Sequence, residues 1–206
     1  MLHIIIGPMF GGKTSEMIRL IRRERTIKTP ILIVNSDLDN RGGNQCVYSH
    51  DKVKEGAVSI DKLMKLAETD QFKSAKVIFV EEGQFYSDLY DFVKLCCDDL
   101  KKTVYVFGLD GDSNRQPFGD ILKIIPLADT ITKLHALCKI CGDGTPAIFT
   151  QRIAKNTDKV LVGGADDYQA VCRKHYLGQN CPNFKELLIL LSKYSIGFFL
   201  PKAGKN

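Results

Sequence analysis

The sequence predicts an α/β protein: a parallel β-sheet with a phosphate-binding loop (P-loop), flanked by helices, and a small zinc-ribbon segment. Three observations predict this fold. A glycine-rich loop at residues 7–14 joins an apolar run to a helical stretch. Short β-branched runs then alternate with helical stretches through the first two thirds of the chain. Two pairs of cysteine and histidine residues follow, in a segment with little apolar periodicity.

Apolar periodicity, taken in chain order, predicts the individual elements. Runs rich in Val, Ile and Phe predict strands at residues 2–6, 31–35, 76–80, 103–108 and 123–126. The stretches between them predict helices at residues 14–28, 60–69 and 87–100. In the last helix, apolar residues recur near helical spacing, so one face should be buried. Strands that alternate with helices form parallel sheets, which bind ligands at the carboxyl ends of the strands.

The pattern breaks after residue 134 and predicts three parts. These are a nucleotide-binding domain at 1–135, a zinc-binding segment at 136–180, and a C-terminal helix and tail at 181–206. A composition of 44% hydrophobic and 26% charged residues is typical of a soluble globular protein. The apolar stretch 187–200 is too short to span a bilayer, and no signal peptide is evident, so we expect a cytoplasmic protein. The net charge is +5, but the basic helix surface lacks interleaved aromatics, which argues against nucleic acid as a partner.

The glycine-rich loop fits the pattern Gly-x4-Gly-Lys-Ser/Thr of nucleoside triphosphate sites. Gly7 and Gly12 let the backbone bend so that N–H groups converge on phosphate oxygens, and Gly11 belongs to the same predicted site. Lys13 can reach the β- and γ-phosphates, and Thr14 can ligate Mg²⁺. The alternative is a glycine-rich turn that matches by chance. The flanking strand and helix favour a site for a nucleoside triphosphate with Mg²⁺.

The later segment carries a predicted structural zinc site. Cys138 and Cys141 form one pair, Cys172 and His175 form the other, and each pair has a two-residue spacer. Three thiolates and an imidazole suit Zn²⁺, and four protein ligands leave no position for catalysis. The alternative is that these are buried thiols and a surface histidine. In a segment without a hydrophobic core, zinc would supply the missing stability.

Two carboxylates follow the predicted strand at 76–80. Because Glu81 and Glu82 end a buried strand in a chain with a phosphate loop, they suggest a partner for Mg²⁺ and a general base. A solvated acidic turn is the alternative. The presence of Lys13 and Thr14 in the same chain favours the functional interpretation.

Five motifs in order and spacing resemble type II thymidine kinases, the cytosolic type also carried by many bacteria and large DNA viruses. The resemblance covers residues 1 to about 179. Its motifs are the loop 7–14, Glu82-Gly83-Gln84-Phe85, Leu109-Asp110-Gly111 with Arg115 and Pro117-Phe118-Gly119, the two zinc pairs, and Gly163-Gly164-Ala165-Asp166 with Tyr168.

The resemblance implies ATP-dependent phosphorylation of thymidine and deoxyuridine to the 5′-monophosphate, feedback inhibition by thymidine triphosphate, and a homotetramer. It implies that Glu82 is the general base, that Lys13 and Thr14 hold phosphates and Mg²⁺, and that Arg41 organises the reacting phosphate. An exposed loop arginine is the alternative for Arg41. The family's zinc-bound lasso folds over the nucleoside, whose implied contacts are Met9, Phe85, Leu109, Phe118 and Tyr168, with backbone groups from Leu161 to Gly163.

The sequence departs from the family pattern at two positions. Glu81 stands where the family has Asp, and Ser113 stands where it has a large aromatic residue. These departures leave three alternatives to a thymidine kinase: a deoxynucleoside kinase of broadened specificity, a nucleotide-binding sensor with weakened catalysis, and a zinc-ribbon protein that acts on nucleic acid. Glu82 argues against the sensor, and the lack of a basic surface with aromatics argues against the last. The expected partners are therefore a nucleoside and ATP, without nucleic acid or membrane.

Overall fold

The computed structural model describes residues 1–38, 46–48, 54–154 and 163–178. Its strands are β1 (Leu2–Ile6), β2 (Ile31–Ser36), β3 (Cys46–Tyr48), β4 (Lys54–Gly56), β5 (Val58–Ile60), β6 (Val77–Val80), β7 (Thr103–Gly108), β8 (Thr130–Lys133), β9 (Ala136–Leu137), β10 (Pro146–Ala147), β11 (Phe149–Arg152) and β12 (Tyr168–Val171). Its α-helices are α1 (Lys13–Thr26), α2 (Asp70–Ser74), α3 (Leu89–Lys94) and α4 (Arg173–Gly178). Short 3₁₀ helices cover Leu63–Glu68, Gly83–Phe85 and Ile121–Leu127, and a π-helical turn at Leu95–Asp99 extends α3.

Six strands form one sheet in the order β5-β2-β6-β7-β1-β8, and every neighbouring pair is parallel. The α/β fold class predicted from the sequence is therefore confirmed. Strands β1, β6 and β7 lie inside this sheet, so their carboxyl ends meet at one edge. That edge carries the loops after residues 6, 80 and 108, which hold the predicted phosphate and acceptor residues.

Both faces of the sheet are buried, which explains why its inner strands are apolar almost throughout. Along β1, Leu2, Ile4 and Ile6 face one core that includes α3, while Ile5 faces a second core. Helix α1 covers the second face with its buried residues Met17, Leu20 and Ile21. Burying one such side chain contributes about 1.5–3 kcal/mol. The two cores therefore fix the position of the sheet edge that carries the site.

The predicted strand at 123–126 is wrong. This stretch lies in the 3₁₀ helix Ile121–Leu127, where Ile121 and Ile124 are fully buried and Pro126 cannot donate a ladder hydrogen bond. The sixth strand is β8, whose four residues are all exposed and which therefore lacks the apolar signal of a buried strand. At the other edge, β5 ends at Ile60, so the helix predicted from residue 60 begins only at Leu63 as a 3₁₀ helix.

The later segment contains two small antiparallel pairs, β9 with β10 and β11 with β12. Its core is assembled mainly from small residues: Ala136, Cys138, Ala147, Ala170, Val171, Cys172 and Tyr176. The division at residues 135 and 180 stays a prediction, and the proposed tail at 181–206 lies outside the described residues. Among the described helices, none has the length and apolar character that a bilayer crossing requires.

Candidate active site

The loop between β1 and α1 has the backbone shape that a phosphate site requires. Gly7 has φ +151°, and a Cβ at this position would collide with the carbonyl oxygen of Leu134, next to β8. Gly12 has φ +79° and immediately precedes α1. Both conformations favour glycine. The loop therefore leads into the N-terminus of a fourteen-residue helix, where N–H groups and the helix dipole favour a bound anion.

Lys13 and Thr14 are the first two residues of α1, and hydrogen bonds hold both side chains. The Lys13 ammonium donates hydrogen bonds to the carbonyl oxygens of Pro8 (2.8 Å) and Gly7 (3.2 Å), so it lies across the loop. The Thr14 hydroxyl donates to Glu81 Oε1 at 2.6 Å. Glu81 is buried, and its extra methylene relative to Asp still lets the carboxylate reach Thr14. A hydroxyl and a carboxylate oxygen are ligands that Mg²⁺ prefers, so this pair fits the ion.

Glu82 is the second residue after β6, and its carboxylate is held in place. Its backbone lies in the left-handed region at φ 52°, which turns the chain sharply at the end of the strand. The Gln84 amide donates from Nε2 to Glu82 Oε2 at 2.5 Å and accepts, through Oε1, the backbone N–H of Leu109 at 3.0 Å. Both Glu82 and Gln84 are buried. No role for Gln84 was predicted from the sequence, although a polar residue two positions after a proposed base is a usable signal.

A glycine further along the chain makes room for Gln84. Gly119 has φ +58°, and a Cβ there would collide with the Gln84 carbonyl oxygen. Gly142 has a similar φ of +67°, but a Cβ there would meet nothing within 4 Å. Alanine substitutions at these two positions can therefore be compared. Both would carry the free-energy cost of a left-handed backbone, but only the substitution at Gly119 would add a steric collision with Gln84.

We expect Gly119→Ala to be more harmful than Gly142→Ala. The left-handed backbone costs each variant about 1–2 kcal/mol of unfolding free energy. Overpacking adds about 1–3 kcal/mol only at Gly119, where relief must move the Gln84 backbone. Denaturant unfolding and turnover measure both effects, and only Gly119→Ala should also slow turnover by about tenfold or more, because a displaced base costs rate steeply. Equal losses in the two variants would contradict this account.

The predicted nucleoside contacts come from the loops after β6 and β7, from the phosphate loop and from the later segment. Phe85 and Phe118 pack edge to face, with ring centroids 5.6 Å apart, and Leu109 is joined to Gln84. Tyr168 lies in β12, where its hydroxyl accepts a hydrogen bond from Arg152 at 3.0 Å. Met9 lies in the phosphate loop, and its backbone N–H donates a hydrogen bond to Thr150 Oγ1. Gly163 lies in the later segment, close to the Asp167 side chain.

Two of the predicted site residues lie outside the described residues. These are Arg41 and Leu161, so their roles stay predictions. The structure thus assembles the phosphate loop, Glu81, Glu82 and the Phe85–Phe118 pair at one sheet edge.

The four predicted zinc ligands converge. Nδ1 of His175 lies 3.3–3.4 Å from the sulfurs of Cys138, Cys141 and Cys172, and the Cys141 and Cys172 sulfurs are 3.8 Å apart. A tetrahedral site with Zn–S bonds of about 2.3 Å places its sulfurs about 3.8 Å apart, so the geometry fits zinc. Burial alone would raise the pKa of Cys138, but N–H groups of Cys141 and Cys172 and the His175 side chain lower it to about 6. The sequence prediction of a Cys₃His cluster is confirmed.

Comparison with known proteins gives a consistent family. The sequence model of the thymidine kinase family matches residues 1–176. A thymidine kinase of Oryza sativa is 42% identical over 180 residues, which are 85% of this chain and 66% of the rice protein. Thymidine kinase a of Arabidopsis thaliana is 41% identical over 179 residues, 85% of this chain and 74% of the plant protein. The enzyme of Rabbit fibroma virus is 39% identical over 178 residues, 85% of this chain and 95% of the viral protein.

Proposed function

Because the chain belongs to the thymidine kinase family, we propose that it transfers the γ-phosphate of ATP to the 5′-hydroxyl of thymidine and of deoxyuridine. One observation carries this proposal. Consecutive residues at the end of β6 face the two halves of the reaction: Glu81 contacts Thr14 of the phosphate loop, and Glu82 is held by Gln84 beside the Phe85–Phe118 pair. The proposed phosphate site and the proposed proton acceptor, Glu82, are therefore next to each other.

The donor half consists of the loop and the start of α1. In this proposal Lys13 exchanges the carbonyl oxygens of Gly7 and Pro8 for the β- and γ-phosphate oxygens of ATP. Thr14 and Glu81 would hold Mg²⁺, which supplies charge neutralisation on the phosphates when bound. Arg41 is proposed to organise the reacting phosphate.

The acceptor half centres on Glu82. The 5′-oxygen of the nucleoside forms a bond to the γ-phosphorus, the bond from that phosphorus to the bridging oxygen breaks, and ADP leaves. The proton of the 5′-hydroxyl passes to the Glu82 carboxylate. The Gln84 hydrogen bond fixes the orientation of this carboxylate, so that little reorganisation is needed during transfer.

The nucleoside half combines apolar walls with backbone groups. Phe85, Phe118, Leu109 and Met9 are proposed to enclose the thymine and sugar, and Tyr168 approaches from the zinc-bound segment. Backbone groups from Leu161 to Gly163 are proposed to read the base, since a pyrimidine edge requires a donor and an acceptor at fixed separation. Feedback inhibition by thymidine triphosphate, a homotetramer and a cytoplasmic location complete the proposal.

The test is transfer from ATP with Mg²⁺ to a panel of thymidine, deoxyuridine, deoxycytidine and deoxyguanosine. We expect fast turnover with thymidine and deoxyuridine only. Turnover of another nucleoside in preference to thymidine would overturn the proposed substrate. ATP binding without any turnover would favour a sensor, although the 2.6 Å contact between Thr14 and Glu81 supports a site that handles Mg²⁺.

A kinase of broadened specificity is the second candidate, and Ser113 favours it. This position lacks the family's aromatic side chain, and the Ser113 carbonyl oxygen accepts a hydrogen bond from the Tyr176 hydroxyl at 2.9 Å. We expect Ser113→Phe to tighten thymidine binding by about fivefold or more, since stacking on a base contributes about 1–3 kcal/mol. Unchanged thymidine affinity, measured by titration calorimetry, would remove Ser113 as the cause of any broadened specificity.

A further inference from the structure

We propose that the zinc-bound unit, defined as residues 136–152 and 168–178, positions both substrate loops of the active site. Thr150 is its positioning residue for the phosphate loop, and Tyr176 is its positioning residue for the loop 110–118. This inference rests on the proposed function, because it assigns the phosphate loop to ATP, with Met9 also beside the nucleoside, and the loop 110–118 to the nucleoside.

The first connection joins Thr150 to the phosphate loop. Thr150 lies in β11 and is buried, and its hydroxyl oxygen accepts the backbone N–H of Met9 at 2.9 Å. Met9 lies between Gly7 and Gly12, the two glycines at which the loop bends. A hydrogen bond at this point fixes one peptide of the loop relative to a rigid strand pair, since Thr150 is paired with Ala170 of β12.

Phe10 strengthens this first connection. It has φ 64°, a left-handed conformation that costs a residue with a bulky side chain free energy unless its surroundings compensate. The compensation is visible: the Phe10 side chain packs against the small core of the zinc-bound unit. The phosphate loop therefore contributes a side chain to that core, and the shape of the loop depends on the core being formed.

The second connection joins Tyr176 to the loop 110–118. Tyr176 directly follows the zinc ligand His175, and its hydroxyl donates to the Ser113 carbonyl oxygen at 2.9 Å. The Arg115 guanidinium lies 4.7 Å from the centre of the Tyr176 ring, which packs on Phe149 with centroids 5.0 Å apart. A cation over an aromatic face adds to the attraction.

The loop held by Tyr176 is itself rigid. Gly111 and Pro117 form an isolated antiparallel bridge across it. Inside the bridge, Asp112 Oδ1 accepts the backbone N–H groups of Asn114 and Gln116, each at 2.8 Å. A closed turn moves as one piece, so a hydrogen bond to its Ser113 carbonyl also restrains Phe118, which immediately follows the bridge.

The zinc centre therefore acts on both loops without touching either substrate. Its ligands come from the two ends of the unit, at residues 138 and 141 and at residues 172 and 175. Thr150 lies between these ends and Tyr176 follows the last ligand. Because the core of the unit is mainly Ala and Cys, coordination supplies much of the rigidity that both contacts require.

Two variants, each removing one hydrogen bond from the full-length zinc-loaded chain, test the proposal. Thr150→Val keeps the shape of the side chain but loses the acceptor, and Thr150→Ser keeps the acceptor as the matched control. Thr150→Val should weaken ATP–Mg²⁺ binding, measured by calorimetry without nucleoside, by about fivefold, the factor of one ordinary hydrogen bond. Thr150→Ser should stay within about twofold of the parent.

Tyr176→Phe removes only the hydroxyl and should act on the other substrate. Thymidine binding should weaken by about fivefold while ATP binding stays unchanged, because its contact lies on the loop 110–118. Zinc content and melting temperature are measured for every variant, to show that the unit remains folded.

Two outcomes would overturn the proposal. One is a folded, zinc-loaded Thr150→Val protein that binds ATP like the parent. The other is a loss of ATP affinity in Tyr176→Phe as large as its loss of thymidine affinity, which would indicate general loosening of the fold. A parent chain that binds ATP but neither binds nor phosphorylates thymidine would instead overturn the proposed function, because the ATP titration of the Thr150 variants does not depend on the nucleoside.

Discussion

Replacing Glu82 by Gln is expected to slow phosphoryl transfer to thymidine about a thousandfold, within the 10²–10⁴ range of a general base. The carboxamide is nearly the same size but cannot take the proton of the 5′-hydroxyl. ATP binding should change by less than about twofold, because the phosphate side is formed by Lys13, Thr14 and Glu81. Single-turnover kinetics with saturating substrates isolates the chemical step, and calorimetry measures ATP binding.

The matched control is Glu68→Gln, the same change at an exposed position of a 3₁₀ helix. It should leave both transfer and ATP binding at the parent level. A Glu82→Gln protein that keeps more than about a tenth of the parent rate would contradict the assignment of Glu82 as the base, since a base contributes at least about a hundredfold.

The site was predicted best from the sequence where all the residues that form a feature lie in one short stretch. A strand, a glycine turn and a helix follow one another over residues 2–26, so the phosphate loop is visible as a pattern. The zinc pairs are equally local, since each two-residue spacer brings two ligands together. Glu82 was visible because it lies only two residues after an apolar strand.

Strand β8, at one edge of the sheet, and the apolar stretch before it were both predicted poorly. Strand β8 is exposed along its whole length and has no apolar run that would indicate a buried strand. Residues 121–127 are apolar, but they form a 3₁₀ helix instead of a strand. An apolar stretch of that length fits a buried strand or a buried helix equally well. Only the packing of Ile121 and Ile124 into the core decides between them.

The long-range contacts that support the site could not be predicted, because the two partners of each contact are distant in sequence. Thr150 contacts Met9 across 141 positions, and Gln84 contacts Leu109 across 25. No local spacing indicates such a pair; the fold creates it. The roles of Thr150 and Gln84 in these contacts can therefore be recognised only in the folded structure. The side chains and loops that they hold were, in contrast, predicted from the sequence.

Cys172→Ser is expected to remove zinc and unfold the zinc-bound unit while the six-stranded sheet stays folded. Structural zinc contributes about 10–16 kcal/mol in zinc-finger peptides, far more than a core of Ala and Cys can replace. The sheet has its own cores on both faces, which do not include the zinc ligands. Turnover of thymidine should fall by about a hundredfold or more, since misplacing a positioned substrate by about 1 Å already costs that factor. The matched control is Cys97→Ser, a cysteine outside the zinc cluster.

Hydrogen exchange distinguishes local from global unfolding, because each amide reports the opening of its own region. In Cys172→Ser, the amides of β11 and β12 should lose protection, while those of β1 and β7, two paired strands inside the sheet, should keep it. Loss of protection in β1 as well would mean that the two parts fold as one and that the boundary near residue 135 is wrong. Full protection of β11 and β12 without zinc would mean that their own packing holds the unit, so zinc could not be what positions the two loops.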